Sequence, residues 1–111
     1  MSSTRTFAPE VKQLLQRIKA RVHEEDPTAL VYLFGSRARG DAGSDSDWDI
    51  FVLTDHHRPL ALLRPLSDRL FDIMFAEDIF IQILVYSKAV WLSGASPNPI
   101  YDAVRREGIL L

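Results

Sequence analysis

The sequence lacks three features that each define a class of protein: cysteine, an excess of positive charge and a long apolar run. Without cysteine there is no disulfide scaffold, zinc ribbon or thiol catalysis. Lys and Arg number 13 against 15 Asp and Glu, so the net charge of −2 argues against wrapping long nucleic acid by phosphate neutralisation. No apolar stretch approaches the roughly 20 residues that span a bilayer. The first ten residues carry no apolar signal core, so we expect a cytoplasmic protein that does not bind a membrane.

The remaining composition is that of an ordinary globular protein. With 111 residues, 47% hydrophobic and 25% charged, the chain 1–111 is expected to form a single domain. Three-four apolar spacing predicts helices and short apolar runs predict strands. The expected order is a helix over 7–25, strands over 29–34 and 48–53, a helix over 58–76, a strand over 79–86 and a short helix from Pro99 to before Gly108.

These elements predict an α/β (α+β) fold with a mixed sheet of about three strands and helices packed on it. Pro65 is expected to kink or split the helix over 58–76. The run over 79–86 is almost continuously apolar, which favours a strand covered on both faces. The leucine-rich stretch 60–70 is interpreted mostly as a core face, and any excess would suit a homo-oligomer or partner interface.

The polar segment between the first two predicted strands, residues 35–49, is the part of the chain that carries chemistry. Two ligand-binding loops, the P-loop and the calcium loop, are excluded by residues within this segment or just after it. A P-loop requires lysine where Asp41 stands, and a carboxylate there would repel phosphates. A calcium loop beginning at Asp45 would place Ile50 at its glycine position and His56 at its bidentate glutamate position.

A metal–nucleotide site fits this segment better. Asp47 and Asp49 lie two residues apart at the start of a strand, so both carboxylates are expected on the same face. Two adjacent oxygen ligands with one open side suit Mg²⁺ that keeps waters and bridges to phosphate oxygens.

The other half of this predicted site follows the preceding strand. Gly35 lets the backbone approach a ligand, and Ser36 offers a hydroxyl and an N–H to a phosphate, especially if a helix begins there. Arg37 and Arg39 add cationic phosphate donors. The alternative for each arginine is an ion pair with a nearby carboxylate, Asp41 or Asp47 in the case of Arg39. One loop would therefore bind phosphate and the next strand would bind metal, as phosphoryl-type transfer requires.

The string GSRARGDAGSDSDWDIFV resembles the minimal nucleotidyltransferases of the DNA polymerase β-like superfamily. Its signature is Gly35-Ser36, ten intervening residues, then Asp47-Trp48-Asp49, and the tail NPIYDAVRREGILL is also similar. The resemblance implies that Ser36 contacts the triphosphate of ATP or another nucleoside triphosphate and that Asp47 and Asp49 hold one or two Mg²⁺ ions. It also implies transfer of a nucleoside monophosphate, often AMP, to a hydroxyl. Several members are antitoxins that adenylylate a HEPN-domain toxin encoded beside them, so a protein partner is expected.

The sequence departs from this family at one position. The superfamily usually carries a third carboxylate on the next strand, and the nearest equivalent here is Gln82. Glutamine supplies a carbonyl oxygen but neither charge nor a useful base. Two alternatives therefore stay open: a catalytically weak module that acts by binding its partner, and a transferase for a small hydroxylated molecule, for which 111 residues leave little room.

Overall fold

A four-stranded mixed sheet forms the centre of the computed structural model, which describes residues 7–111. The strands lie in the order β3-β2-β1-β4. β1 runs antiparallel to both β2 and β4, whereas β2 and β3 are parallel. The strand bounds are Leu30–Phe34 for β1, Trp48–Thr54 for β2, Ile81–Ser87 for β3 and Ile109–Leu110 for β4.

Helices cover both faces of this sheet. α1 and α3 pack on one face and form the larger core with β1 and β2, while α4 and α5 pack on the other. A 3₁₀ turn over Pro59–Leu62 leads into α3. The helix bounds are Pro9–Glu25 for α1, Ser36–Arg39 for α2, Leu63–Glu77 for α3, Lys88–Ser93 for α4 and Pro99–Glu107 for α5.

α1 forms where its sequence pattern predicts. Pro9 occupies its first turn, and Asp26 ends it in an extended conformation immediately before Pro27. Its buried stripe, which includes Ile18 and Val22 at 0% exposure, packs against the corresponding stripe of α3. This pair of helices holds the sheet from one side and leaves the polar segment 40–47 at its edge.

Alternation along β2 separates the two cores. Ile50 and Val52 belong to the larger core under α1 and α3, whereas Phe51 and Leu53 belong to the smaller core under α4 and α5. All four side chains are fully buried, as expected for a central strand. By the same alternation Asp49 lies on the same face of the sheet as Phe51. It stands near the start of β2, next to the polar segment that is predicted to carry the chemistry.

The fold class matches the prediction, and three details differ. The two-residue strand β4 and the short helix α4 carry too few residues to show a period, so sequence analysis missed both. The predicted helix over 58–76 is divided at Leu62–Leu63 into the 3₁₀ turn and α3, which places Pro65 in the first turn of α3, where proline is tolerated.

The expectation that the strand over 79–86 is covered on both faces is confirmed in part. β3 lies at the edge of the sheet, with Ile81 and Val85 buried in the larger core and the apolar residues of the opposite face only partly buried against the smaller core. Its apolar residues border open surface near the 3₁₀ turn, where Leu60 is 73% exposed. Within residues 7–111, no helix is both long and apolar enough to cross a bilayer.

Candidate active site

The turn after β1 fits tightly against a side chain of β2. Phe34, the last residue of β1, is in register with Asp49, and Gly35 follows with φ +76°. A Cβ on Gly35 would lie 2.3 Å from Asp49 Oδ2, closer than non-bonded atoms approach. Only glycine therefore fits this position, for both conformational and steric reasons. The turn predicted to bind phosphate and a carboxylate predicted to bind metal lie in direct proximity.

α2 begins immediately after this turn, with Ser36 as its first residue. Gly35 O accepts hydrogen bonds from the backbone N–H groups of Ala38 and Arg39, each at 3.0 Å. Gly35 has no side chain that could cap the helix, and the N–H groups of Ser36 and Arg37 precede the first intrahelical bonds. These two N–H groups and the Ser36 hydroxyl form a compact set of donors beside Asp49, suited to a phosphate oxygen.

The two predicted metal ligands differ in exposure, and the charge of one acts on the other. Asp47 is exposed just before β2, and Asp49 is partly buried within it. Burial raises the pKa of Asp49, the negative charge of Asp47 raises it further, and Arg39 opposes both effects. Among residues 7–111 no group donates a hydrogen bond to the Asp49 carboxylate. The cluster therefore has an excess of negative charge that a bound cation would offset.

The donor set fits a divalent cation of the magnesium type. Asp47 and Asp49 supply two hard oxygen ligands, and Mg²⁺ typically takes one or two carboxylates and completes its shell with waters and phosphate oxygens. Within the described part of the chain, no group of three or more His, Cys, Asp or Glu side chains is arranged around a common metal position. A metal here would accordingly depend on its nucleotide for further ligands.

Gln82 occupies the position predicted for it. It is in register with Asp49 across the parallel β2–β3 pair, and its side chain is exposed. A carboxylate at this position would stand beside Asp49 on the same face of the sheet. The amide supplies only a neutral oxygen, so β3 brings neither a charge nor a base to this position.

Arg37 is engaged in holding the loop. Its Nη2 donates to Ser46 O at 2.8 Å and to Ser44 O at 3.3 Å, and its Nε donates to Ser46 O at 3.2 Å. The guanidinium carbon lies 4.3 Å from the centroid of the Trp48 ring, a cation–π arrangement. These contacts fix the loop that delivers Asp47, so the phosphate-binding role of Arg37 stays a prediction.

Arg39 forms the ion pairs that were its predicted alternative, with one unexpected partner. Its Nε donates to Asp41 Oδ2 and its Nη1 donates to Glu107 Oε1, both at 3.1 Å. Glu107 is 68 residues away in the sequence, at the end of α5. Sequence analysis missed Glu107 because no local pattern indicates that the C-terminal helix ends beside this loop.

Comparison with known proteins agrees with this geometry. The sequence model described as "Nucleotidyltransferase domain" matches residues 12–105. The chain belongs to this nucleotidyltransferase family. The match spans both halves of the candidate site, the turn at Gly35–Ser36 and the acids Asp47 and Asp49. No curated protein matches the chain significantly.

A solved structure supports the same relationship. It is provisionally described as a minimal nucleotidyltransferase, and it is 25% identical to this nucleotidyltransferase with a TM-score of 0.58. The alignment covers 98% of this chain and 100% of the other. Family membership thus supports a general role in nucleotidyl transfer, and such domains generally use a nucleoside triphosphate and a divalent metal.

Proposed function

We propose that this nucleotidyltransferase transfers AMP from ATP to a hydroxyl group on a protein partner, in a reaction that requires Mg²⁺. The approach of the Gly35 turn to the Asp49 carboxylate is the observation that carries the proposal, since the turn bears the predicted phosphate donors and Asp49 is one of the two predicted metal ligands. The resemblance to minimal nucleotidyltransferases favours a HEPN-domain toxin as the partner, with this chain as its antitoxin.

The roles of the residues follow from their chemistry. Ser36 and the first N–H groups of α2 would bind the triphosphate, and Asp47 and Asp49 would hold Mg²⁺. The metal would neutralise charge on the phosphates. The acceptor oxygen bonds to the α-phosphorus, the bond from that phosphorus to the α,β-bridging oxygen breaks, and pyrophosphate leaves. Gln82 cannot accept the hydroxyl proton, so that proton passes to solvent or to a base of the partner.

The test is adduct formation on the partner. The chain is incubated with ATP, Mg²⁺ and the product of the neighbouring gene, tested first for binding, and mass spectrometry records any added AMP. We expect one adduct on a hydroxyl side chain, its loss in the Asp47→Asn/Asp49→Asn variant and its retention in Asp45→Asn, which changes an exposed acid of the same loop. The absence of an adduct on a partner shown to bind would contradict the proposal.

One observation favours a second candidate, a module that neutralises its partner by binding alone. Gln82 stands beside Asp49 where an acid would complete the site. If the Asp47→Asn/Asp49→Asn variant neutralises the partner with unchanged potency, binding is sufficient and transfer is dispensable. Loss of neutralisation with retained complex formation supports the enzyme instead.

A further inference from the structure

Arg39 is held between two carboxylates at the end of α2, the short helix that follows the Gly35 turn. Asp41 accepts from its Nε and Glu107 from its Nη1, whereas Nη2 has no hydrogen-bond partner among residues 7–111. The backbone N–H of Arg39 donates to the carbonyl oxygen of Gly35, one helical turn earlier in the sequence. Gly35 is also the residue that lies against the Asp49 carboxylate. The guanidinium is thus fixed at two nitrogens and has one nitrogen left for a ligand.

The C-terminal strand brings Glu107 to this place. β4 pairs antiparallel with β1, with Ile109 opposite Leu33. If this register is continued two residues beyond each strand, Glu107 stands opposite Gly35, where the turn predicted to bind phosphate begins. The side chain of Glu107 is 29% exposed, against 62% for Asp41, so it is the more enclosed of the two partners. The end of α5 therefore borders the turn that would bind phosphate.

Resting on the proposed function, we infer that Glu107 is a positioning residue for nucleotide binding. It holds the Arg39 guanidinium away from the metal-binding acids, with one terminal nitrogen available to a triphosphate oxygen. Arg39 lies on α2, the helix that begins directly after the Gly35 turn that approaches Asp49. Without Glu107 the guanidinium keeps only Asp41 and is free to pair with Asp49, the same carboxylate that Mg²⁺ needs. Loss of Glu107 would therefore weaken binding, although it removes a negative charge from the neighbourhood of the phosphates.

The test measures binding rather than turnover. Isothermal titration of the full chain with Mg·ATP compares the wild type with Glu107→Gln, Glu107→Asp and Glu77→Gln. Glu77 supplies a matched control, because it forms an exposed ion pair with Arg17 between α1 and α3, at 3.0 Å. We expect Glu107→Gln to weaken the affinity on the order of five- to tenfold, in keeping with the loss of one charge-assisted contact. Glu107→Asp should restore part of it, and Glu77→Gln should not change it.

Melting temperatures separate this positioning role from a merely structural one. If Glu107 only positions Arg39, the melting temperatures of Glu107→Gln and Glu77→Gln should fall equally little, since exposed ion pairs contribute little to stability. Unchanged or tighter Mg·ATP binding by Glu107→Gln, beside a wild type that binds, would overturn this inference alone. A wild type that does not bind Mg·ATP would overturn the proposed function, and this inference with it. In the transfer reaction, the loss should raise KM for ATP and leave kcat unchanged.

Discussion

At the residue scale, Gly35 and Gly94 both have a positive φ, but they differ in ψ, which is −157° at Gly35 and −2° at Gly94, and in their surroundings. Their φ angles are +76° and +81°, and a Cβ would meet Asp49 at the first position and nothing within 4 Å at the second. Alanine at Gly94 therefore incurs the strain of a left-handed conformation, about 1–2 kcal/mol, and alanine at Gly35 incurs at least as much, because its combination of φ and ψ is essentially confined to glycine. Only at Gly35 does it also displace a carboxylate or the turn that contacts it.

We expect Gly35→Ala to abolish Mg·ATP binding, and Gly94→Ala to leave it intact, while both variants lose stability. Urea denaturation measures the free energy of unfolding, and calorimetric titration measures the binding. Loss of binding in both variants would show that general destabilisation, rather than the contact with Asp49, is responsible. Retained binding in Gly35→Ala would mean that the turn does not need to approach Asp49.

Asp49 shows at the same scale how function is set against stability. Burial and the charge of Asp47 raise its pKa, so ionising Asp49 is less favourable in the folded protein than in the unfolded chain. A raised pKa means that the folded state binds this proton more tightly than the unfolded state. The contribution of Asp49 to the free energy of unfolding therefore falls as the pH rises through its raised pKa in the folded protein. An unfavourable charge at a turn that only glycine fits is typical of a site built for a ligand.

At the scale of elements, the loop between α2 and β2 depends on one side chain. Arg37 donates to the carbonyl groups of Ser44 and Ser46 and stacks on Trp48, which is 6% exposed. Lysine keeps the charge but has neither the planar fork nor the stacking surface. We expect Arg37→Lys to reduce the free energy of unfolding by about 1–2 kcal/mol.

The same substitution should make the loop over 40–47 accessible to proteases, because its carbonyl groups lose their anchor. Limited proteolysis followed by mass spectrometry locates the cleavage. Arg64→Lys is the control, since Arg64 forms only an exposed ion pair with Asp68 on the same helix. Equal protease sensitivity in both variants would contradict a specific role for Arg37 in the loop.

The elements also show what can be predicted from sequence. The turn at Gly35 and the acids Asp47 and Asp49 depend on local spacing, and Gln82 follows from counting along the next strand, so their placement was predictable. Of the two partners of Arg39, Asp41 was predicted and Glu107 was not. Arg39 bonds to Glu107 only because β4, a strand of two residues, aligns the end of α5 with β1. A pairing across 68 residues leaves no periodic pattern in the sequence.

At the scale of the whole molecule, the sheet separates two cores of unequal size. Within residues 7–111, seventeen buried residues form the core under α1 and α3, and four form the core under α4 and α5. A smaller apolar cluster gives its elements less protection against local opening. The segment formed by α4, α5 and β4 is therefore expected to open before the rest of the chain, and it carries Glu107.

The same substitution, valine to alanine, at Val22 and at Val104 tests whether the C-terminal segment opens before the rest of the chain. Both are almost fully buried, at 0% and 1% exposure, in the larger and the smaller core respectively. Truncation to alanine should cost about 2 kcal/mol at either site, from lost burial and the cavity left behind. We expect Val22→Ala to lower the protection of amide hydrogens throughout the sheet, and Val104→Ala to lower it chiefly over residues 88–111, as measured by native-state hydrogen exchange. Uniform loss of protection in Val104→Ala would show instead that the two cores unfold as one cooperative unit, which would make the nucleotide site and the C-terminal segment inseparable in stability.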